Sequence, residues 1–302
     1  MSFALLFSGQ GTQHPAMLPW LIDDARVQRT CARLGVDDWR SRLTDAAWSA
    51  RNDVAQTLLT GLALAAWDQL APLVSAPAAI AGYSVGELAA FSAAGVIDAD
   101  IAAALAPVRA EAMDICAMRR PGGLLAVAGL SNVALQQLCA GSGVEVAIRL
   151  GPDSVIVGGP VGHIDRAEDL ARASGAECTR LRVSVASHTS WMREAADSFA
   201  TALSEIAFRS PRVVLFSNAA DRIRDAASAR TALAAQIATT VRWDECLENI
   251  AARQVGCVLE VGPGQALART WNQRYPDVPA RACDDFRSDA SVAAWIHSHA
   301  DR

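Results

Sequence analysis

The chain has 302 residues, of which 52% are hydrophobic and 20% charged, so it is long enough to bury a large core. Its 27 Lys and Arg residues against 32 Asp and Glu residues give a net charge of -5, which argues against a general nucleic-acid partner. The start, MSFALLFSGQGTQ, has no basic leader or cleavage site, and Asp68 interrupts the most apolar helical stretch. We therefore expect a soluble cytoplasmic protein with no membrane partner.

The seven cysteines are scattered along the chain, and none stands in a CxxC pair. An odd number of isolated cysteines is typical of reduced thiols, and not of a disulfide framework or a zinc site. We therefore expect no bound metal.

Apolar runs alternate with helix-like stretches along the first part of the chain. FALLF at 3–7 predicts a buried strand that ends in the glycine-rich loop SGQGTQ, and residues 54–70 predict a core helix. APAAIAGYS at 76–84 predicts a second strand, and VGELAAFSAAG predicts the helix that follows it. Residues 101–117 predict one more helix, before RRPGG at 119–123 breaks the pattern.

The segment 124–183 has a different texture, with four apolar runs separated by two helical stretches. Its order, βαββαβ, is typical of a small ferredoxin-like sheet. Strands resume at VVLFSNA and CVLEVGPG, among further predicted helices. Such alternation on both sides of an insertion predicts an α/β fold with a mainly parallel, helix-covered sheet. We therefore assign 1–120 and 184–302 to a discontinuous core, and 121–183 to an inserted subdomain.

The stretch IAGYSVGE places Ser84 between Gly82 and Gly86, after an apolar run and before a helix-like one. Small glycines permit the strained turn that holds a nucleophilic serine, and the helix start directs backbone N–H groups at an oxyanion. The pattern GxSxG also arises by chance, and the alternative is a turn whose serine merely caps the helix. The strand before it and the helix after it favour the nucleophile.

A serine nucleophile needs a base, and the chain has five histidines. His297 and His299 lie in a tail that we expect to be mobile, and His163 begins a charged helix as a solvated cap. His14 adjoins the first loop. His188, in VASHTSWM, lies where the chain returns from the insertion to the core, so it is the candidate base. The alternative for a lone histidine is a purely structural role.

Five motifs, FSGQGTQ, GYSVGE, VASHTSWM, TTVRW and EVGPG, resemble in order and interval those of malonyl-CoA:acyl carrier protein transacylases. The resemblance covers essentially the whole chain. It implies an α/β-hydrolase-like core with an inserted ferredoxin-like subdomain, and a transfer of malonyl groups from malonyl-CoA to an acyl carrier protein. It also implies that the chain itself binds no cofactor, because the carrier supplies the prosthetic arm.

The resemblance assigns roles to catalytic residues. Ser84 matches the nucleophile and His188 its base. Gln236, in AQIATTVRW, matches a residue whose backbone carbonyl orients the histidine, which explains why no acidic third member of a triad stands out. Gln10, in the first glycine-rich loop, matches the oxyanion residue, whose backbone N–H works together with that of Val85.

The resemblance also indicates substrate-binding residues. Arg109 matches the arginine that grips the free carboxylate of a malonyl group, and a bidentate pair of this kind would reject a neutral acetyl group. Without the resemblance, Arg109 reads as one more solvated charge on a helix. Gly9 in the first loop and Tyr83 before the serine are the other candidates for substrate contact.

Two departures from the family pattern bear on specificity. Tyr83 stands where the family usually has histidine, so any contact of that histidine with the acyl group must be replaced or lost. In VAIRLGPDSVIVGG, Arg149, Gly151 and Ser154 stand near positions where fatty-acid-synthesis members tend to have asparagines and a glutamine. Together with GQGTQHPAMLPWL, this looks most like the epsilon subunit of bacterial malonate decarboxylase, which charges that complex's own acyl carrier subunit.

The main functional hypothesis is therefore malonyl transfer to the malonate decarboxylase carrier, and the alternative is a malonyl transacylase of fatty-acid or polyketide synthesis. A serine thioesterase or other hydrolase would use the same serine and histidine, but Arg109 argues against it. A noncatalytic carrier scaffold fits least, because each matched catalytic residue is present. An acidic carrier would meet a predicted basic rim of five arginines. The rim consists of Arg119, Arg120, Arg149, Arg180 and Arg182.

Overall fold

In the computed structural model, which describes residues 2–300, eleven strands form two separate sheets, one in each of two units. The large unit comprises the described parts of Met1–Pro107 and Cys246–Arg302, together with Ala207–Ala229. The small unit comprises Val108–Ile206 and Arg230–Glu245.

Strands and helices are numbered in chain order. The strands are β1 Phe3–Phe7, β2 Ala79–Gly82, β3 Gly122–Ala128, β4 Glu145–Gly151, β5 Ser154–Pro160, β6 Glu177–Arg180, β7 Val214–Phe216, β8 Arg222–Ile223, β9 Val241–Arg242, β10 Cys257–Val261 and β11 Ala280–Ala282. The α-helices are α1 Ala25–Leu34, α2 Trp39–Arg42, α3 Ala46–Ser49, α4 Asn52–Leu70, α5 Gly86–Ala93, α6 Ala99–Arg119, α7 Asn132–Ser142, α8 Val161–Ala173, α9 Arg193–Ser204, α10 Ala226–Ala235, α11 Trp243–Ala251, α12 Ala266–Arg274 and α13 Asp289–Ala300. Short 3-10 helices lie at Ala71–Leu73, Ser190–Met192 and Cys283–Asp285.

The sheet of the large unit has the strand order β11-β10-β1-β2-β7-β8. All neighbouring strands are parallel except β7 and β8. Every residue of β1 is buried, as expected of a central parallel strand covered on both faces, which explains why FALLF is apolar throughout. The loops that follow β1, β2 and β10 leave the sheet at the same edge, where parallel α/β sheets bind their ligands.

The sheet of the small unit has the strand order β6-β3-β5-β4-β9. Its first four strands are antiparallel to their neighbours and follow the predicted βαββαβ order, while β9 pairs in parallel with β4. Leu138 of α7 and Ile164 of α8 join Leu125, Val127 and Val157 of the sheet in one hydrophobic core. The predicted fold class, an α/β-hydrolase-like core with an inserted ferredoxin-like sheet, is confirmed. The fifth strand, β9, comes from outside the predicted segment 121–183.

The C-terminal segment differs from the expectation. His297 and His299 lie in α13, so the prediction of a mobile tail is wrong as far as residue 300. Val292, Ala293 and Ile296 are buried and anchor one face of this helix. Within residues 2–300, no helix combines the length and the apolar character needed to cross a membrane. All seven cysteines are free thiols.

Candidate active site

Ser84 occupies the turn between β2 and α5. Its φ is 54°, a left-handed backbone conformation that residues other than glycine rarely adopt. The two neighbouring glycines are needed because the backbone passes very close to itself here. A Cβ on Gly82 would lie 2.3 Å from the backbone of Gly86, and a Cβ on Gly86 would lie 2.3 Å from the carbonyl oxygen of Phe7. The strand, strained turn and helix therefore have the arrangement that holds a serine for nucleophilic attack.

Asn218, which directly follows the β7 region, braces this turn. Its Nδ2 donates to the carbonyl oxygen of Gly82 at 2.7 Å, and its Oδ1 accepts from the backbone N–H of Ser84 at 2.8 Å. Its own backbone N–H donates to Oε1 of Glu87 at 2.6 Å. Asn218 and Glu87 are both fully buried. Sequence reasoning missed Asn218, for which the only signal was a polar SNA directly after an apolar run.

We expect Asn218→Ala to destabilise the protein. The substitution removes the hydrogen bonds that Asn218 makes with the Gly82 carbonyl and the Ser84 N–H, at a cost of about 1–3 kcal/mol of unfolding free energy for each bond. Urea unfolding measures this loss. Ser217→Ala is the matched control, because the buried Ser217 Oγ has no hydrogen-bond partner among residues 2–300, and we expect a change of roughly 0.5 kcal/mol or less. Equal losses in the two variants would contradict the bracing role.

Two backbone N–H groups near Ser84 are available to a bound oxyanion. The Ser84 N–H itself is taken by Asn218, but those of Val85 and Gln10 have no acceptor among the residues that the structure describes. Phe7 and Gly82 are partners in the parallel pairing of β1 and β2, so Gln10 and Val85 each follow three residues after the paired strand ends. Two such donors, one at a helix N-terminus, are what an oxyanion hole requires.

The first loop, residues 8–12, is tied to the loop after β10. Ser8 Oγ donates to Oε1 of Glu260 at 2.8 Å, and Oε2 of Glu260 accepts from the N–H of Ala268 at 2.8 Å. Thr12 Oγ1 donates to the carbonyl oxygen of Pro263 at 2.8 Å. Burial raises the pKa of the Glu260 carboxyl to about 7. Through these contacts, the EVGPG motif holds the loop that carries Gln10.

The predicted substrate-binding residues Gly9 and Tyr83 lie against each other. A Cβ on Gly9 would stand 2.7 Å from Cδ1 of Tyr83, so only glycine lets the ring approach the first loop this closely. Burial raises the pKa of the Tyr83 phenol, so the hydroxyl stays protonated at neutral pH and can donate a hydrogen bond.

In the small unit, the segment after α10 holds His188 at two points. Its Nδ1 lies 2.6 Å from the carbonyl oxygen of Gln236, and its backbone N–H donates to the carbonyl oxygen of Ile237 at 2.8 Å. Both acceptors follow the C-terminal end of a helix, where carbonyls lack intrahelical partners. A carbonyl can only accept, so Nδ1 carries the proton and Nε2 is left with the lone pair of a base.

The imidazole of His188 is 2% exposed and neutral at physiological pH. Burial, and secondarily the charge of Arg109, lower its pKa to about 3, against the opposing effect of the hydrogen bond to Gln236. The φ of His188 is 65°, so His188, like Ser84, is one of four non-glycine residues with a positive φ among residues 2–300. A neutral histidine whose Nδ1 is held by a carbonyl, so that Nε2 is unprotonated, is the form that a general base requires.

Arg109 lies in α6 and is fully buried, contrary to the solvated helix charge that sequence reasoning would otherwise assign. Its Nη2 donates to Oε1 of Gln236 at 3.2 Å. Gln236 therefore binds the histidine through its backbone and the arginine through its side chain. The resemblance had indicated the first contact but not the second.

The predicted residues thus form two groups. Within the large unit the structure brings together Gly9, Gln10, Tyr83, Ser84 and Val85. Within the small unit it brings together Arg109, His188 and Gln236. No three His, Cys, Asp or Glu side chains within residues 2–300 are grouped as a metal site would need.

The arginines proposed as a basic rim differ in their pairing. Ion pairs with acidic side chains neutralise Arg119 and Arg180. The other three form no ion pair within the described part of the chain, and these are Arg120, Arg149 and Arg182. The rim therefore keeps fewer open charges than its composition suggests.

Comparisons with known proteins agree with this geometry. Residues 4–301 match the family described as the acyl transferase domain. The malonyl CoA-acyl carrier protein transacylase of Salmonella typhimurium is 33% identical over 281 residues, covering 88% of this chain and 90% of that protein. The acyl-carrier-protein S-malonyltransferase of Burkholderia pseudomallei superposes with a TM-score of 0.88 at 29% identity, covering 97% of this chain and 100% of that one. A malonyl-transacylase solved in complex with its type II PKS acyl-carrier protein has a TM-score of 0.89 at 29% identity, covering 99% of this chain and 100% of that one.

Proposed function

The chain belongs to the acyl transferase domain family, and from that premise we propose that it is a malonyl-CoA:acyl carrier protein S-malonyltransferase. The observation that carries the proposal is the strained Ser84 turn, with the N–H groups of Val85 and Gln10 lacking an acceptor among the described residues. The guanidinium of Arg109, buried beside Gln236, supports a substrate with a carboxylate, because its planar fork of donors matches a carboxylate in bidentate geometry.

In the first half-reaction, Ser84 Oγ attacks the thioester carbonyl of malonyl-CoA, and His188 Nε2 takes the hydroxyl proton. The N–H groups of Gln10 and Val85 stabilise the oxyanion of the tetrahedral intermediate. When the C–S bond breaks, the CoA sulfur takes the proton from His188, and a malonyl ester remains on Ser84. The thiol of the carrier then attacks this ester by the same steps in reverse.

A serine hydrolase is the competing reaction class, because water can replace the carrier thiol in the second half-reaction. The buried Arg109 favours the transfer of a carboxylated acyl group, and the relatives found by sequence are named as transacylases. Gln236 replaces the acidic third member of a hydrolase triad with a neutral carbonyl.

For the carrier, we propose an acyl carrier protein of the fatty-acid or polyketide type, which the relatives support better than the malonate decarboxylase subunit. The decarboxylase subunit is the second candidate, and Tyr83 favours it. The ring of Tyr83 lies on the first loop against Gly9, where an altered carrier arm would meet an altered contact.

A competition assay tests both the proposed transfer reaction and the choice between the two carriers. Malonyl-loaded protein is mixed with equal amounts of a fatty-acid-type carrier and a malonate decarboxylase carrier, and the malonyl carriers are measured by mass at low and high salt. We expect the fatty-acid-type carrier to be preferred, and preference for the other carrier would establish the second candidate. Transfer to neither carrier would overturn the transferase proposal. A rate that does not depend on salt would contradict a basic rim built on Arg120, Arg149 and Arg182.

A further inference from the structure

The side chain of Gln236 contains an unused hydrogen-bond donor in the interior of the small unit. Gln236 is 0% exposed, and its Nε2 meets no acceptor among residues 2–300. Buried polar groups in proteins are nearly always hydrogen-bonded, so an orphaned amide of this kind calls for a partner. Resting on the proposed function, we infer that Gln236 is a substrate-binding residue, whose side-chain amide donates to the malonyl carboxylate beside Arg109.

The orientation of the amide follows from its neighbour. Arg109 is a donor only, so the Gln236 atom that lies 3.2 Å from Nη2 must be the acceptor Oε1. The Nε2 atom is bonded to the same carbon as Oε1, and therefore lies within a few ångströms of the guanidinium. A carboxylate gripped by Arg109 has four lone-pair positions, of which a bidentate arginine uses two. The amide of Gln236 can occupy one of the others.

The backbone fixes the residue independently of its side chain. The carbonyl of Gln236 accepts from His188 Nδ1, and the next carbonyl accepts from the backbone N–H of His188. The Gln236 side chain can therefore be changed while the group that orients the base is kept. This separation makes the role of the side-chain amide testable apart from the role of the histidine.

Binding without chemistry is the first measurement. In a Ser84→Ala background, the affinities for malonyl-CoA and acetyl-CoA are measured by calorimetry, with and without Gln236→Met, which preserves the volume and the backbone carbonyl. We expect Gln236→Met to weaken malonyl-CoA binding by about tenfold to a hundredfold, as for one hydrogen bond to a charged group, and to leave acetyl-CoA unchanged. Gln137→Met, at an exposed glutamine of α7, is the matched control and should change neither affinity.

The second measurement separates substrate contact from simple support of Arg109. Gln236→Glu keeps an acceptor for Arg109 but replaces the donor with an acceptor, so it should repel malonate and attract an amide. We expect malonyl-CoA to lose at least about a hundredfold in affinity, and malonamyl-CoA, the amide analogue, to gain about tenfold relative to acetyl-CoA. If Gln236 only supports Arg109 and does not contact the substrate, Gln236→Glu should give no gain in affinity for malonamyl-CoA.

The outcomes keep this inference distinct from the proposed function. If the Ser84→Ala reference binds malonyl-CoA no better than acetyl-CoA, carboxylate recognition fails, and the proposed function fails with it. If the reference prefers malonyl-CoA and Gln236→Met preserves that preference, the function stands and the role of Gln236 is overturned. Absence of any gain for malonamyl-CoA with Gln236→Glu also overturns it.

Discussion

Ser84→Ala should abolish the covalent malonyl adduct that wild-type protein forms within seconds of mixing with malonyl-CoA. The substitution removes the only atom proposed to attack the thioester, and transfer to a carrier should fall by roughly 10⁴-fold to 10⁶-fold, as for other serine nucleophiles. Intact mass spectrometry measures the adduct, and peptide mapping locates it. Because alanine at a left-handed φ of 54° is no less strained than serine, folding should be checked by thermal unfolding.

Ser92→Ala is the matched control for this experiment, because Ser92 lies on α5, the helix that begins two residues after Ser84. We expect the control to form the adduct at the wild-type rate. An adduct on a cysteine, or one that persists unchanged in Ser84→Ala, would contradict the assignment of Ser84 as the nucleophile. Five of the seven free cysteines are buried, and burial raises the thiol pKa of four of these, which makes them poor competitors for the acyl group.

Arg109→Ala should change acyl specificity and not only reduce activity. Without the guanidinium, a desolvated malonyl carboxylate has lost its charged partner, so transition-state stabilisation for malonyl transfer should fall by about 2–5 kcal/mol. Acetyl transfer should hold steady or rise, because a neutral acetyl group gains nothing from the buried guanidinium and so loses nothing when it is removed. The ratio of kcat/KM for malonyl-CoA and acetyl-CoA is the measurement, and retained acetyl transfer shows at the same time that the variant folds.

Two further variants sharpen the result for Arg109. Arg109→Lys keeps the charge but loses the planar fork that contacts Gln236 and that we propose to bind the malonyl carboxylate, so we expect an intermediate loss for malonyl-CoA. Arg119→Ala removes an exposed arginine from the same helix, and should leave the ratio unchanged. Equal losses for both acyl groups in Arg109→Ala would show that Arg109 is structural.

Local features of the chain were sufficient to predict the serine turn. Gly82 and Gly86 are required by backbone contacts made within a few residues, or with the adjacent strand, so the GxSxG pattern after an apolar run carries its geometry with it. The βαββαβ order of the inserted sheet could also be predicted from local features, because each strand and helix is long enough to show its own period. His188 could be selected because few histidines compete with it.

Short elements escaped prediction. β8 and β9 are two residues long and β11 is three, so none of them shows a period of its own. They exist because a longer neighbour offers unpaired backbone groups, as β4 does for β9 in the small unit. An edge of this kind is a property of the assembled sheet and not of the two residues that complete it.

Which polar side chains are buried, and which groups they contact, was decided only by the tertiary structure. From its surroundings in sequence Arg109 is an ordinary charged helical residue, yet it is fully buried and bound to Gln236, which lies far along the chain. Asn218 braces a turn more than a hundred residues away, and Ser8 is held by Glu260 in the last part of the chain. The sequence by itself thus determined the local backbone that presents Ser84. The polar groups that hold this backbone, and the environment that keeps His188 neutral, depend on contacts between distant segments, and no local pattern records such contacts.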